Sequence, residues 1–109
     1  MSGVVSISDS EFAAEVLNAS EALVLVYWWA PWCGPCRLVS PTIEWAADTF
    51  GDRLKVIKME VDPNPETVAT YKVEGVPALR LFQRGKVVES LEGAVTKQKL
   101  GDMLAAYLN

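Results

Sequence analysis

The two cysteines of the chain stand three positions apart, in the run Trp32-Cys33-Gly34-Pro35-Cys36. Thiols at that spacing on a turn that enters a helix come close enough to close a small-ring disulfide. Gly34 and Pro35 supply the tightness such a turn needs. A sulfur at a helix N-terminus faces unpaired amides and the positive end of the helix dipole, which favours thiolate over thiol. Cys33 is therefore the expected nucleophile. Cys36, one turn further in, is the expected resolving thiol and the more buried of the two. The chemistry implied is two successive exchanges: Cys33 attacks a substrate disulfide, and Cys36 then attacks the mixed disulfide and releases reduced substrate.

Other readings of the pair have physical costs. A structural disulfide across so short a loop removes little chain entropy. A zinc site ordinarily takes four ligands, and the chain holds two cysteines and no histidine, so a metal would have to be shared with a second copy. Inert thiols are the third reading. A C-x-x-C beside a β-α-β pattern is the usual setting of a redox dithiol, so the residues alone favour redox chemistry, with a shared metal and inert thiols left open.

The elements that must position the pair can be read from patterning. Leu23 to Trp29 is an unbroken apolar, β-branched and aromatic run of strand length, as a strand buried on both faces requires. The segment Arg37 to Phe50 has helical spacing at Leu38, Ile43, Ala46, Ala47 and Phe50, with Pro41 inside it as an expected kink. Leu54 to Val61 is a second strand. The cysteines thus fall at a strand-to-helix turn of a right-handed β-α-β crossover between parallel strands.

Upstream, Val4 to Ile7 reads as a short strand. Ser8-Asp9-Ser10-Glu11 reads as a capping box opening a helix from Asp9 to Asn18, with Phe12, Ala13, Val16 and Leu17 as its buried face. Downstream, a turn at Asp62-Pro63-Asn64-Pro65 leads to a short helix over Glu66 to Tyr71, broken by Glu74-Gly75-Val76-Pro77. Ala78 to Gln83 and Lys86 to Glu92 form an antiparallel hairpin about Arg84-Gly85. Leu100, Met103, Leu104, Tyr107 and Leu108 mark an amphipathic C-terminal helix. The order β-α-β-α-β-α-β-β-α predicts one α/β unit, a mixed sheet with helices on both faces.

Composition excludes several functions. Over 109 residues, 50% are hydrophobic and 22% charged, the balance of one folded domain. A net charge of −4 offers no electrostatic support for nucleic acid or an anionic membrane. The strongest apolar run, Ala22 to Trp32, is interrupted by Pro31 and is too short to span a bilayer. Met1 to Asp9 carry neither a basic start nor a long apolar segment, so no secretory signal is visible and the cytoplasm is the expected compartment.

The run Trp29-Ala30-Pro31-Trp32-Cys33-Gly34-Pro35-Cys36-Arg37, followed by Pro41, Val61-Asp62, Val76-Pro77 and Gly93, resembles the thioredoxin family in order and spacing. The likeness extends from Val4 to Leu108. It implies one domain over residues 1–109 with the thioredoxin fold, α/β with a central mixed five-stranded sheet flanked by four helices. It also implies a protein-disulfide reductase serving electron transport and cell redox homeostasis. Such a protein acts as a monomer on disulfide-containing target proteins, recycled by a thioredoxin reductase, flavin-dependent or ferredoxin-linked. The chain itself shows no cofactor or metal site. The resemblance further implies that Val76-Pro77 is a cis peptide against the cysteine pair, shaping the substrate groove and keeping metal from the thiols. On its own residues that pair would read as a trans proline closing a loop. Trp32, Gly34, Pro35, Val76, Pro77, Gly93 and Ala94 then become the apolar rim that docks an extended segment of the partner. A binding module without catalysis, and an oxidase or isomerase, are the rival functions.

One position departs from the family. Tyr27 stands six residues before Cys33, where thioredoxins usually carry a buried Asp paired with a Lys, and the counterpart of that Lys is Lys58. A phenol is a weaker acid than a carboxylic acid by about six pKa units, so Tyr27 cannot be the same base near neutral pH. Two readings follow: the hydroxyl holds a water or Lys58 while Cys36 loses its proton to solvent or to Lys58, or the ring only fills core volume. The ammonium of Lys58 needs a partner or water, and Glu60, two residues along the same strand face, is the candidate. Ala78 after the proline, in place of the usual Thr, and Trp28, where Phe is common, are two further departures that bear on partner choice.

Overall fold

A computed structural model describes residues 3–108. At its centre lies β2 (Leu23–Trp29), whose first six residues are buried. A strand with no polar face is stable only where both faces are covered and both edges paired. Both edges of β2 are paired: β3 (Lys55–Glu60) runs parallel on one side and β4 (Ala78–Gln83) antiparallel on the other. β1 (Val4–Ser6) adds to β3 in parallel and β5 (Lys86–Glu92) to β4 antiparallel, giving the order β1-β3-β2-β4-β5.

Alternation along β2 divides the core in two. Leu23, Leu25 and Tyr27 face α1 (Gly34–Phe50) and α3 (Lys97–Leu108), sharing a cluster with Ile43, Leu100 and Leu104. Val24, Val26 and Trp28 face the other way, onto Phe12 and Val16 of the N-terminal helical segment and, at its edge, Val68 of α2 (Pro65–Thr70). The result is the five-stranded mixed sheet with four helices that the patterning predicts. The hairpin turn has positive φ at both Arg84 (51°) and Gly85 (82°), the I′ geometry whose twist suits a two-residue connection. A Cβ on Gly85 would sit 3.0 Å from the carbonyl oxygen of Leu17, so this turn needs glycine for packing as well as for backbone.

Two helical readings are corrected. The segment after Ser8 is not one α-helix from Asp9 to Asn18 but a 3₁₀ turn over Asp9–Glu11 followed by a π turn over Ala13–Leu17. The Glu11 carboxylate does accept from the Ser8 amide, at 2.9 Å. The wider turn, closed by the Asn18 amide on the Ala13 carbonyl at 2.8 Å, sends Phe12 and Val16 inward and leaves Ala13 and Leu17 exposed. In α1 the inward stripe is Cys36, Val39, Ile43, Ala46 and Ala47, and Leu38 is 76% exposed. The helix begins at Gly34, earlier than the apolar spacing suggested, and the inward-pointing Cys36 sets its rotation. Among the described residues no helix is long and apolar enough to cross a membrane.

The first turn of α2 is capped from a distant segment. Asp9 accepts from the amides of Glu66 (2.9 Å) and Thr67 (3.2 Å) and from the Thr67 hydroxyl (2.7 Å), doing what a local cap residue does for orphan amides. Asp9→Ala should therefore lower stability by about 2 kcal/mol, the upper end of the range for a lost cap. The check is a urea midpoint shift at unchanged slope.

Candidate active site

β2 delivers the chain to the cysteines, and the Cys33 amide closes on the Ala30 carbonyl at 3.1 Å. Cys33 is the N-cap of α1, with extended backbone, and Gly34 and Pro35 open the helix. Proline is tolerated there because a first-turn amide has no helical acceptor to lose. Cys33 and Cys36 form a disulfide with their Cα atoms 5.4 Å apart, within the usual span. The Cys36 amide donates to Cys33 Sγ at 3.2 Å, so the sulfur takes the place that a serine or aspartate oxygen holds in an ordinary cap. Any negative charge on that sulfur meets an aimed donor and the positive end of a 17-residue helix. The expected contrast in burial is slight: Cys33 is 4% exposed and Cys36 2%. Position in the cap, rather than exposure, distinguishes the two. Among the described residues no three His, Cys, Asp or Glu side chains gather as metal ligands.

Behind Cys36 stands Tyr27, 2% exposed. Its hydroxyl donates to the Cys36 carbonyl at 3.1 Å and lies 3.4 Å from Ser40 Oγ, which itself donates to the same carbonyl at 2.9 Å. Burial raises the phenol above its usual range, and the contact with Ser40 offsets part of that rise. The phenol is thus a neutral donor at any physiological pH. No hydrogen bond joins Tyr27 to Lys58 among the described residues, although the two are register partners and line one cavity of about 190 Å³ with Ser40 and Glu44. Lys58 is only partly buried, and its ammonium lies 5.4 Å from the centre of the Trp29 ring, a cation–π distance. No ion pair joins it to Glu60; the two described pairs are Lys55–Glu15 and Arg80–Glu92.

The rim residues separate into groups. Trp32 is 67% exposed, and its indole N–H is held by Asp62 at 2.8 Å. Beside it runs a groove of about 380 Å³ walled by Val61, Asp62, Val68, Val73 and Val76. The Val76–Pro77 peptide is cis, as the resemblance implied, and Val76 packs on the cluster that contains both cysteines. The Gly93 amide donates to the Pro77 carbonyl at 2.9 Å, and its φ of 79° is one that favours glycine. Lys72, Val76, Pro77, Glu92 and Gly93 border a second groove of about 430 Å³. Gly34, Pro35 and Ala94 are exposed and line neither groove. Three residues here escaped the sequence reading: Asp62 as the anchor of Trp32, Ser40, and the buried Arg80. Ser40 could have been found from its place one helical turn after Cys36.

The family model described as Thioredoxin matches residues 3–106. A thioredoxin-like protein of Synechocystis is 52% identical over 106 residues, covering 97% of this chain and 96% of its own length. A thioredoxin of the same organism is 41% identical over 108 residues, 99% of this chain and 100% of its own. A thioredoxin of Bacillus subtilis is 39% identical over 105 residues, 96% and 98% respectively.

Proposed function

Since the chain belongs to the thioredoxin family, protein-disulfide oxidoreductases that work by dithiol–disulfide exchange, we propose how its own residues divide that reaction. The observation that carries the assignment is the Cys36 amide aimed at Cys33 Sγ on the N-terminus of α1. In the reduced protein Cys33 is the thiolate. It attacks one sulfur of a substrate disulfide, forming a mixed disulfide and expelling the other sulfur as thiolate, which takes a proton. Cys36, deprotonated, then attacks Cys33 Sγ; the Cys33–Cys36 bond forms, the mixed disulfide breaks, and the second substrate sulfur leaves. Two electrons pass to the substrate. A thioredoxin reductase returns them by the same steps in reverse.

Trp32, Val76, Pro77, Gly93 and Ala94 receive the substrate chain, with Gly34 and Pro35 at the edge where the sulfurs meet. Trp32 is a large apolar surface left 67% exposed but fixed by Asp62, so it loses little conformational freedom when a partner covers it. Tyr27 acts as a positioning residue: its hydroxyl holds the Cys36 carbonyl, while the proton of Cys36 leaves toward the cavity shared by Ser40, Glu44 and Lys58. A monomer of 109 residues with net charge −4, working in the cytoplasm on proteins rather than on nucleic acid or membrane, fits this reading.

The test is insulin reduction followed by turbidity with a dithiol reductant, together with a redox titration against glutathione. Catalysed precipitation with a potential near about −270 mV, the reference value for thioredoxin itself, is expected; a potential near about −120 mV would make the protein an oxidant. Absence of any catalysed reduction would leave a docking module.

A further inference from the structure

Arg80 is the one charged residue among the described residues that is fully buried, at 5% exposure. It points from β4 to the face that carries Ala78 and Phe82, away from Leu79 and Leu81. Its donors are spent on three segments. Nη1 pairs with Glu92 Oε1 at 2.7 Å and with the Leu79 carbonyl at 3.0 Å. Nε and Nη2 reach the Tyr71 carbonyl at 3.3 and 3.2 Å, and Nη2 also reaches the Lys72 carbonyl at 3.3 Å.

The two carbonyls on Tyr71 and Lys72 belong to the turn that ends α2. That turn closes with Val73 N–H on the Val68 carbonyl (2.9 Å) and Lys72 N–H on the Ala69 carbonyl (3.3 Å), a Schellman pattern. Its left-handed position is filled by Lys72 at φ 54°, where glycine is the unstrained residue. The other end of the clamp is Glu92, next to the Gly93 whose amide holds Pro77. One guanidinium therefore ties together both walls of the 430 Å³ groove: the Lys72-to-Pro77 segment and the Glu92–Gly93 end of β5.

A fold does not require this. In a setting of Val26, Ala78 and Phe82, a well-packed apolar side chain serves stability as well as a buried ion pair does, and often better. The fork supplies bidentate reach across a gap, which apolar packing lacks. We propose that Arg80 is a positioning residue that holds the groove walls at the spacing that admits the extended backbone of a protein substrate. It thereby sets the preference for protein disulfides over low-molecular-weight ones. The proposal rests on the groove assignment made under Proposed function.

The experiment is steady-state kinetics of Arg80→Met on insulin and on a small aromatic disulfide. KM for insulin should rise about tenfold at unchanged kcat, while the rate with the small disulfide stays within about twofold, because only uniform binding of the protein substrate is lost. Arg80→Lys, which keeps the charge but not the fork, should recover part of the loss. Glu92→Gln removes the charge of the exposed partner and should raise the insulin KM about threefold. Equal losses on both substrates, a fall in kcat alone, or an unchanged KM in Glu92→Gln each overturn the proposal. A wild-type protein inactive on insulin would instead overturn the groove assignment itself.

Discussion

Cys33→Ser abolishes disulfide reduction, and Cys36→Ser arrests it one step later with the substrate covalently attached. A serine hydroxyl is not ionised near neutral pH and cannot displace a thiolate from a disulfide, so turnover in either variant should fall by at least roughly a thousandfold, the scale on which loss of an essential nucleophile is felt. The two failures differ in kind. In Cys36→Ser the thiol at position 33 still sits at the N-cap of α1, and the amide of residue 36 still points at Sγ. One equivalent of substrate thiol should be released in a burst, leaving a protein whose mass is increased by the other half of the substrate and restored by a dithiol. Cys33→Ser should show neither burst nor adduct, because the remaining thiol lies one turn inside α1, away from the cap position and the amide aimed at it. An adduct that accumulates in Cys33→Ser and not in Cys36→Ser reverses the assignment of roles.

That asymmetry was legible in the sequence because it depends on local facts: a C-x-x-C after a buried strand must start a helix, and a helix start has a polarity. The same holds for β2, an apolar run that ends just before Pro31, and for β4 and β5, which flank the Arg84-Gly85 turn. Where the reading slipped, position around a helix was at stake. Leu38 and Leu17 are apolar, and periodicity alone assigned them inward; the structure leaves them 76% and 38% exposed, because Cys36 and the Phe12–Val16 pair set the rotation of their segments.

Arg80, Asp9 and Asp62 were not legible for a further reason. A charged residue in a sequence reads as solvated, since burying a charge is costly. Its exemption depends on acceptors supplied from elsewhere in the chain: Tyr71, Lys72 and Glu92 for Arg80, and, in reverse, donors from Glu66, Thr67 and Trp32 for the two aspartates. None of these pairings has a sequence spacing that repeats. Asp62 lines the groove beside Trp32, and Lys72 and Glu92 the groove beside Pro77, where tertiary contacts rather than local propensity determine shape.

The position behind Cys36 is the place where changing one side chain should alter stability and chemistry together. Tyr27 fills a site on the α1 face of the sheet beside Cys36 and Leu79. In Tyr27→Asp the lost ring leaves a void, at about 3–5 kcal/mol for truncation of a buried aromatic. The new carboxyl is desolvated, so its pKa in the fold lies above the unfolded value of about 3.9. Lys58, its register partner, can reach it only in part, through the shared cavity. A folded pKa that is raised contributes stability below the unfolded value and loses it as pH rises through the folded one. The deficit in Tyr27→Asp, read from urea midpoints, should therefore widen from about pH 4 to neutrality. Its resolution step should gain a carboxylate directly behind Cys36, in place of a phenol that stays neutral, and with it an added titration in the rate at which mixed disulfide is released.

Wild-type Tyr27 cannot contribute such a titration, because burial holds its phenol above the usual range. Its own raised pKa predicts stability that is full below about pH 10 and declines above it. Tyr27→Phe separates volume from hydroxyl. It keeps the ring, loses the bond to the Cys36 carbonyl at a cost of about 1 kcal/mol, and should follow the wild-type pH profile of resolution between about pH 5 and 9. A Tyr27→Asp protein whose resolution rate overlays wild type across that range would show that the residue behind Cys36 has no part in its proton transfer.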